Sequence, residues 1–124
     1  MINLKEYSDK LPLITLKEKV PQLGSFSLNY TFDNTFDIIL NEWTDFIIDT
    51  NYNLIIGQGH YKMNKKMDYL FGVGRLKIDK YITDVDLDSG HYIPTKNEML
   101  KVIDVFILSK IAYKINLHIQ PYSI

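Results

Sequence analysis

The start of a helix at Thr95 constrains this chain more than any other single feature. Thr95-Lys96-Asn97-Glu98 has the form of a capping box, in which the threonine and glutamate side chains each satisfy an otherwise orphan amide of the first turn. Pro94 suits the position just before it. Leu100, Ile103, Ile107 and Ile111 then recur at helical spacing, with Met99, Val102 and Phe106 widening the stripe. A helix with so broad an apolar stripe must be covered, and the rest of the chain offers a sheet to cover it.

Elsewhere the apolar residues alternate. Residues 25–32 set Phe26, Leu28 and Tyr30 against small polar residues, the pattern of a half-buried strand. Residues 44–50 and 53–57 are predicted as a hairpin, with Asp45-Phe46-Ile47-Ile48 and Leu54-Ile55-Ile56 as strands and residues 49–53 as the turn. Residues 69–79 and 81–88 form a second hairpin. There Tyr81, Thr83, Val85 and Leu87 fall on one face, and Asp84, Asp86 and Asp88 fall on the other with Ile82. Ile115, Leu117 and Ile119 alternate with Asn116, His118 and Gln120 in a final half-buried strand before Pro121. Residues 36–43 suit a short helix or a strand equally. Residues 1–23 carry short helix-compatible pieces cut by Pro12 and Pro21. The expected fold is α+β: a small, mostly antiparallel sheet of hairpins, one main C-terminal helix packed on it, and a last strand. Residues 1–124 read as one domain, of which 1–23 is the short helical segment and 53–122 carries the unusual motifs.

Composition narrows the partners. With 46% apolar and 13% aromatic residues the chain can build a real core, unlike a disordered segment. Its net charge is −1, and Arg75 is the only arginine among 14 cationic residues, so nucleic acid is not an indicated partner. The absence of cysteine removes thiolate and disulfide chemistry. No apolar run approaches the ~20 residues that span a bilayer, and no secretory leader is visible, so the expected compartment is the cytoplasm, or the outside by a route without a cleaved signal. No cofactor motif stands out: Gly72-Val73-Gly74 lacks the strand–loop–helix context of a dinucleotide site. The Asp84-Val85-Asp86-Leu87-Asp88 run has Ser89 where a calcium loop needs glycine. A protein partner is left open.

Chemistry concentrates in residues 57–94, which hold five of the six glycines, two of the three histidines and the arginine. Two glycine–histidine steps, Gly59-His60 and Gly90-His91, are each followed by a tyrosine, Tyr61 and Tyr92. A neutral imidazole accepts a proton at one nitrogen while donating from the other, which suits acid–base work near neutral pH. If the hairpins stack, His60 and His91 share a pocket with Arg75 and Asp88: a general acid, a general base and an anion holder, enough for phosphodiester or acyl transfer without a metal. Tyr92 joins this candidate catalytic set, and Gly59, Tyr61, Gly74, Ser89 and Gly90 are candidate binding positions. The structural alternative is that the histidines cap turns and the glycines let a twisted sheet close. His118 alternates outward on the last strand, and Arg75 has surface partners available in Asp79 or Asp84.

Gly74-Arg75-Leu76, followed by Ser89-Gly90-His91-Tyr92-Ile93-Pro94-Thr95, resembles the C-terminal region of plant IQ-motif, calmodulin-associated proteins. It is also similar to small modules at the C-termini of bacterial polymorphic-toxin and effector proteins. The resemblance covers residues 53–122 and points to Gly59, His60, Gly74, Arg75, Ser89, Gly90, His91 and Tyr92. The chain departs from the pattern at Gly72-Val73 and at Asp79-Lys80, where a turn glycine is expected. It carries no basic IQ-type helix, so calmodulin binding does not transfer. What the resemblance implies is an effector- or toxin-like domain with a histidine-containing pocket, a hydrolase or transferase of unspecified substrate. The alternative is a non-catalytic protein-binding or immunity protein in which the same residues are architectural.

Overall fold

The alternating segments assemble into a six-stranded sheet in the computed structural model, which describes residues 2–17, 42–57, 67–89 and 92–119. The strands are β1 (Ile2–Asn3), β3 (Thr44–Ile48), β4 (Asn53–Gly57), β6 (Gly72–Asp79), β7 (Tyr81–Asp86) and β8 (Asn116–His118), in the spatial order β1-β4-β3-β6-β7-β8. All pairings are antiparallel except that of β7 with β8. A separate ribbon pairs β2 (Ile14–Thr15) with β5 (Tyr69–Leu70). The helix α1 (Lys96–Leu108) joins β7 to β8, the kind of crossover a parallel pair requires. The chain is therefore α+β, with the mostly antiparallel sheet, single main helix and last strand expected from its sequence. A 3-10 helix at Lys5–Lys10 occupies part of the N-terminal segment. The strand expected over residues 25–32 and all but the last two of residues 36–43 lie outside the described residues.

Local chemistry makes the hairpins. Between β3 and β4 one carboxylate oxygen of Asp49 accepts from the amides of Asn51 and Asn53, both at 2.9 Å. Tyr52 takes a left-handed φ of 65° to close the turn. Between β6 and β7 the turn falls on Lys80, also left-handed at 66°, in place of a glycine. The second hairpin departs from strict alternation. Lys77 pairs with Asp84 but Ile78 pairs with Ile82, so Thr83 is an extra residue in β7. A bulge of this kind shifts the alternation by one. Ile82 thereby leaves the acidic face predicted for it and joins the helix-side core, while Thr83 comes beside Asp84, its hydroxyl 2.7 Å from Oδ1.

The sheet is buried on both faces at its centre. On one face Phe46, Ile48, Leu76 and Val85 meet Met99, Val102 and Phe106 of α1, with the Phe46 and Phe106 rings 5.6 Å apart and inclined by 64°. On the other, Ile47 and Val73 are covered by Ile14 and Leu70 of the ribbon and by Tyr92. This explains why β3 contains an unbroken buried run, Phe46-Ile47-Ile48, where a one-sided strand would alternate.

The capping box forms as expected: Thr95 Oγ1 accepts from the Glu98 amide at 3.1 Å and Glu98 Oε1 from the Thr95 amide at 2.8 Å. The buried stripe, however, is Met99, Val102, Ile103, Val105 and Phe106, and Leu100 and Ile107 are 42% and 40% exposed. The apolar arc of the helix is wider than the arc the sheet can cover, so the docking partners Phe46 and Leu76, not the spacing, select its centre. Ile111 lies beyond the helix. There the amide of Lys110 donates to Ile107 and that of Ile111 to Phe106, with Lys110 left-handed at 64°, a Schellman ending built without glycine. Among the described residues no helix is long and apolar enough to cross a membrane.

Candidate functional site

The Gly-Arg-Leu step lies mid-sheet on β6. Gly74 faces the helix, and a β-carbon added there would stand 2.4 Å from the backbone oxygen of Asp86. The absence of a side chain is what lets β7 approach this closely. Arg75 points to the opposite face. Its Nε and Nη2 both donate to Oδ2 of Asp86, the first at 2.9 Å, and its Nε lies 3.3 Å from Asp88 Oδ2. Asp86 is 0% exposed, and its other oxygen accepts from the Asp88 amide at 3.0 Å, turning the chain out of β7. Burial works against the charge on Arg75, but the hydrogen bond and attraction of Asp86, helped by Asp88 and Asp45, raise its pKa beyond the ordinary guanidinium value.

Arg75 and Asp88 are thus in contact, but the dominant partner is Asp86, and neither Asp79 nor Asp84 holds the arginine. Strand pairing decides this: Arg75 stands opposite Asp86 in the β6–β7 ladder, whereas Asp84 stands opposite Lys77 and Asp79 opposite Tyr81.

The Ser-Gly-His-Tyr segment follows directly. Ser89 is buried, with its Oγ accepting from the Tyr92 amide at 3.4 Å. Tyr92 is fully enclosed among Ile14, Ile47, Leu70 and Val73. Its hydroxyl donates to the Met67 carbonyl at 2.8 Å, and its own carbonyl accepts from Lys17 Nζ at 2.9 Å. Ile93 then takes a left-handed φ of 41° ahead of Pro94 and the helix cap. Gly59, His60, Tyr61, Gly90 and His91 lie outside the described residues.

Around Arg75 the structure assembles side chains that sequence reasoning did not connect. Asp45, Arg75, Asp86 and His118 form one row across β3, β6, β7 and β8, and Lys77 and Asp84 form part of the next. Trp43, just before β3, lies against three of these residues. Its ring centroid is 5.1 Å from the Arg75 guanidinium carbon, 4.9 Å from Lys77 Nζ, and 5.1 Å from the perpendicular His118 ring. His118, 46% exposed, bonds through Nε2 to Asp84 Oδ2 at 2.7 Å. Burial pushes the Asp84 carboxyl up. Hydrogen bonds from His118 and Thr83, with the charges of His118 and Lys77, outweigh that and hold it below its usual value. The acidic face of β7 was legible in the alternation of Asp84 and Asp86. Trp43 sat in a segment of ambiguous period, and His118 joins only through a parallel pairing that no local signal announces.

Chemically, this is a compensated ionic surface with one aromatic ring laid over its cations. Among the described residues no three His, Cys, Asp or Glu side chains converge as a metal site, and no buried side-chain nitrogen or oxygen lacks a hydrogen-bond partner. No family model, curated protein or solved structure matches the chain.

Proposed function

We propose that this domain acts by binding a protein partner, as an immunity-type or other non-catalytic module does, and that its Gly-Arg and Ser-Gly-His-Tyr segments serve the architecture. One observation carries this reading. Gly74, Arg75, Ser89 and Tyr92 all have their conspicuous property engaged within the fold: a close approach to the Asp86 carbonyl, a buried ion pair, a turn hydrogen bond, and a hydroxyl on the Met67 carbonyl. An anion at Arg75 would have to settle for the donors that Asp86 leaves, beside two carboxylates that repel it.

The second reading is an effector-like hydrolase or transferase with a pocket around His60 and His91. Two features favour it. Asp88, on Arg75, is 42% exposed and directly precedes the Ser-Gly-His-Tyr segment. Ile93 is β-branched, left-handed and followed by proline, a combination of backbone strain that recurs at functional sites.

Purification of the tagged chain from its native cells, followed by reconstitution from purified components, separates the two. The expected result is a stoichiometric complex that survives His60→Ala and His91→Ala. Loss of a cellular phenotype or of hydrolytic activity in those variants, with the fold intact and no partner recovered, would favour the pocket.

A further inference from the structure

We propose that Tyr81 and Tyr113 form an oxidative cross-linking site, at which peroxide-driven coupling of the two phenols ties the chain leaving α1 to the start of β7. Such a site stands whether or not the domain binds a partner.

The two rings touch at the surface. Their centroids are 4.5 Å apart with planes inclined by 66°, and the Tyr113 hydroxyl donates to that of Tyr81 across 3.4 Å. This separation is close to that of two directly bonded aryl rings, so coupling asks for side-chain rotation and little backbone movement. The backbone is held at both positions. Tyr81 pairs with Asp79 across the β6–β7 turn, and the next amide, that of Ile82, donates to the Ile111 carbonyl at 3.0 Å. Ala112, just before Tyr113, is fully buried. Tyr113 itself is 66% exposed, which leaves its ring open to an oxidant. The other described tyrosines have different neighbours: Tyr7 bonds the Leu108 carbonyl, Tyr52 and Tyr69 lie against Phe71, and Tyr92 is enclosed in the core.

Holding two rings in contact turns a bimolecular radical coupling into a reaction within one molecule. Each phenol gives up one electron and its hydroxyl proton. The two radicals join by a bond between ring carbons ortho to oxygen (Cε), and the hydrogen on each of those carbons moves to its own oxygen, restoring two phenols. The two electrons and two protons released reduce one hydrogen peroxide to two waters, with a haem peroxidase as the one-electron carrier. The chain has nine tyrosines and no cysteine, so no thiol of its own intercepts the oxidant. β8 pairs with β7 through Asn116, Leu117 and His118 and begins soon after Tyr113. The new bond therefore tethers a short strand as well as closing a loop that contains α1.

The test is oxidation of the full chain, at low micromolar concentration, by a haem peroxidase with one equivalent of hydrogen peroxide. The expected product is a monomer lighter by two hydrogen atoms, with blue dityrosine emission and a proteolytic fragment joining Tyr81 to Tyr113. It should melt roughly 5–15 °C above the untreated chain, because a link across 32 residues restricts the unfolded state. Tyr81→Phe and Tyr113→Phe keep the rings but lack the hydroxyl hydrogen, so each should lose most of the monomer emission, whereas Tyr52→Phe should keep it. Melting temperatures of the untreated variants exclude unfolding as the cause. Absence of coupling, a cross-link that maps to other tyrosines or survives in the Tyr81 and Tyr113 variants, or one found in dimers alone would overturn the proposal.

Discussion

Replacing Gly74 with alanine is a direct test of how the motif-bearing hairpin is held together. The added carbon would lie 2.4 Å from the Asp86 carbonyl oxygen, 3.3 Å from Phe46 Cε1 and 3.4 Å from Met99 Cε. Non-bonded carbon–oxygen contacts settle at about 3.3–3.6 Å, so the backbone would have to yield by roughly 1 Å. It has little freedom to do so: the residue following Gly74 is paired with Asp45 on one side and Asp86 on the other, and Phe46 and Met99 are both fully buried. Overfilling a packed site costs about 1–3 kcal/mol, and an obstacle in the backbone belongs at the upper end. Alanine returns roughly 0.4–1 kcal/mol by restricting the unfolded chain. The expected net loss is about 2 kcal/mol, or roughly 8 °C in melting temperature for a domain of this size. Urea denaturation with an unchanged slope should show it as a lower midpoint. Gly72→Ala provides the comparison, because the atoms nearest its added carbon belong to the Ile48 side chain, the closest being Cδ1 at 2.7 Å, and not to backbone; its loss should be about 1 kcal/mol. Wild-type stability in Gly74→Ala, or a larger loss in Gly72→Ala, would refute the argument.

Asp86→Ala should destabilise by about 2–3 kcal/mol in thermal or urea melts, because it leaves a partly buried guanidinium with only the weaker attraction of Asp88 and Asp45, whereas Asp88→Ala at the exposed end of the same network should cost under about 1 kcal/mol. Lys110→Gly should stabilise by roughly 0.5 kcal/mol, since the helix ending needs a left-handed residue that lysine adopts at a cost; an unchanged or lower melting temperature would count against the assigned geometry. The carboxyl of Asp84 has a folded pKa below its unfolded one, so its contribution is complete above the usual carboxylate range near pH ~4 and is lost as pH falls through the folded value. Amide exchange at Asn116–His118 should therefore accelerate in acid, and Asp84→Asn should abolish that dependence; equal acid sensitivity in the variant would show that another group holds β8.

The elements that were readable in the sequence are those whose forces act over a few residues. The Thr95–Glu98 box spans a single helical turn, and the Asp49 turn closes over four residues, so both could be named from the local string. The hairpin strands followed from period-two runs flanked by turn residues. The short strands β1 and β2 carry too few residues for any period to register, and they exist because β4 and β5 offer open edges. Ile82 was placed on the wrong face because one extra residue, Thr83, breaks the alternation, and nothing in residues 81–88 taken alone marks it. The stripe of α1 was found, but its centre was displaced towards Leu100 and Ile107.

The site divides along the same line. From the chain alone it was clear that residues 57–94 hold an unusual density of glycine, histidine and tyrosine, that Arg75 stands alone among lysines, and that Asp84 and Asp86 share a strand face. Those are properties of composition and of the backbone repeat, fixed wherever the strand ends up. Tertiary structure alone decided that Arg75 belongs to Asp86, that Trp43 lies over Arg75 and Lys77, and that His118 reaches Asp84 from a parallel strand more than thirty residues away. Such contacts depend on strand order and register, which are set by burying both faces of the sheet at once, and no short stretch of sequence contains that information.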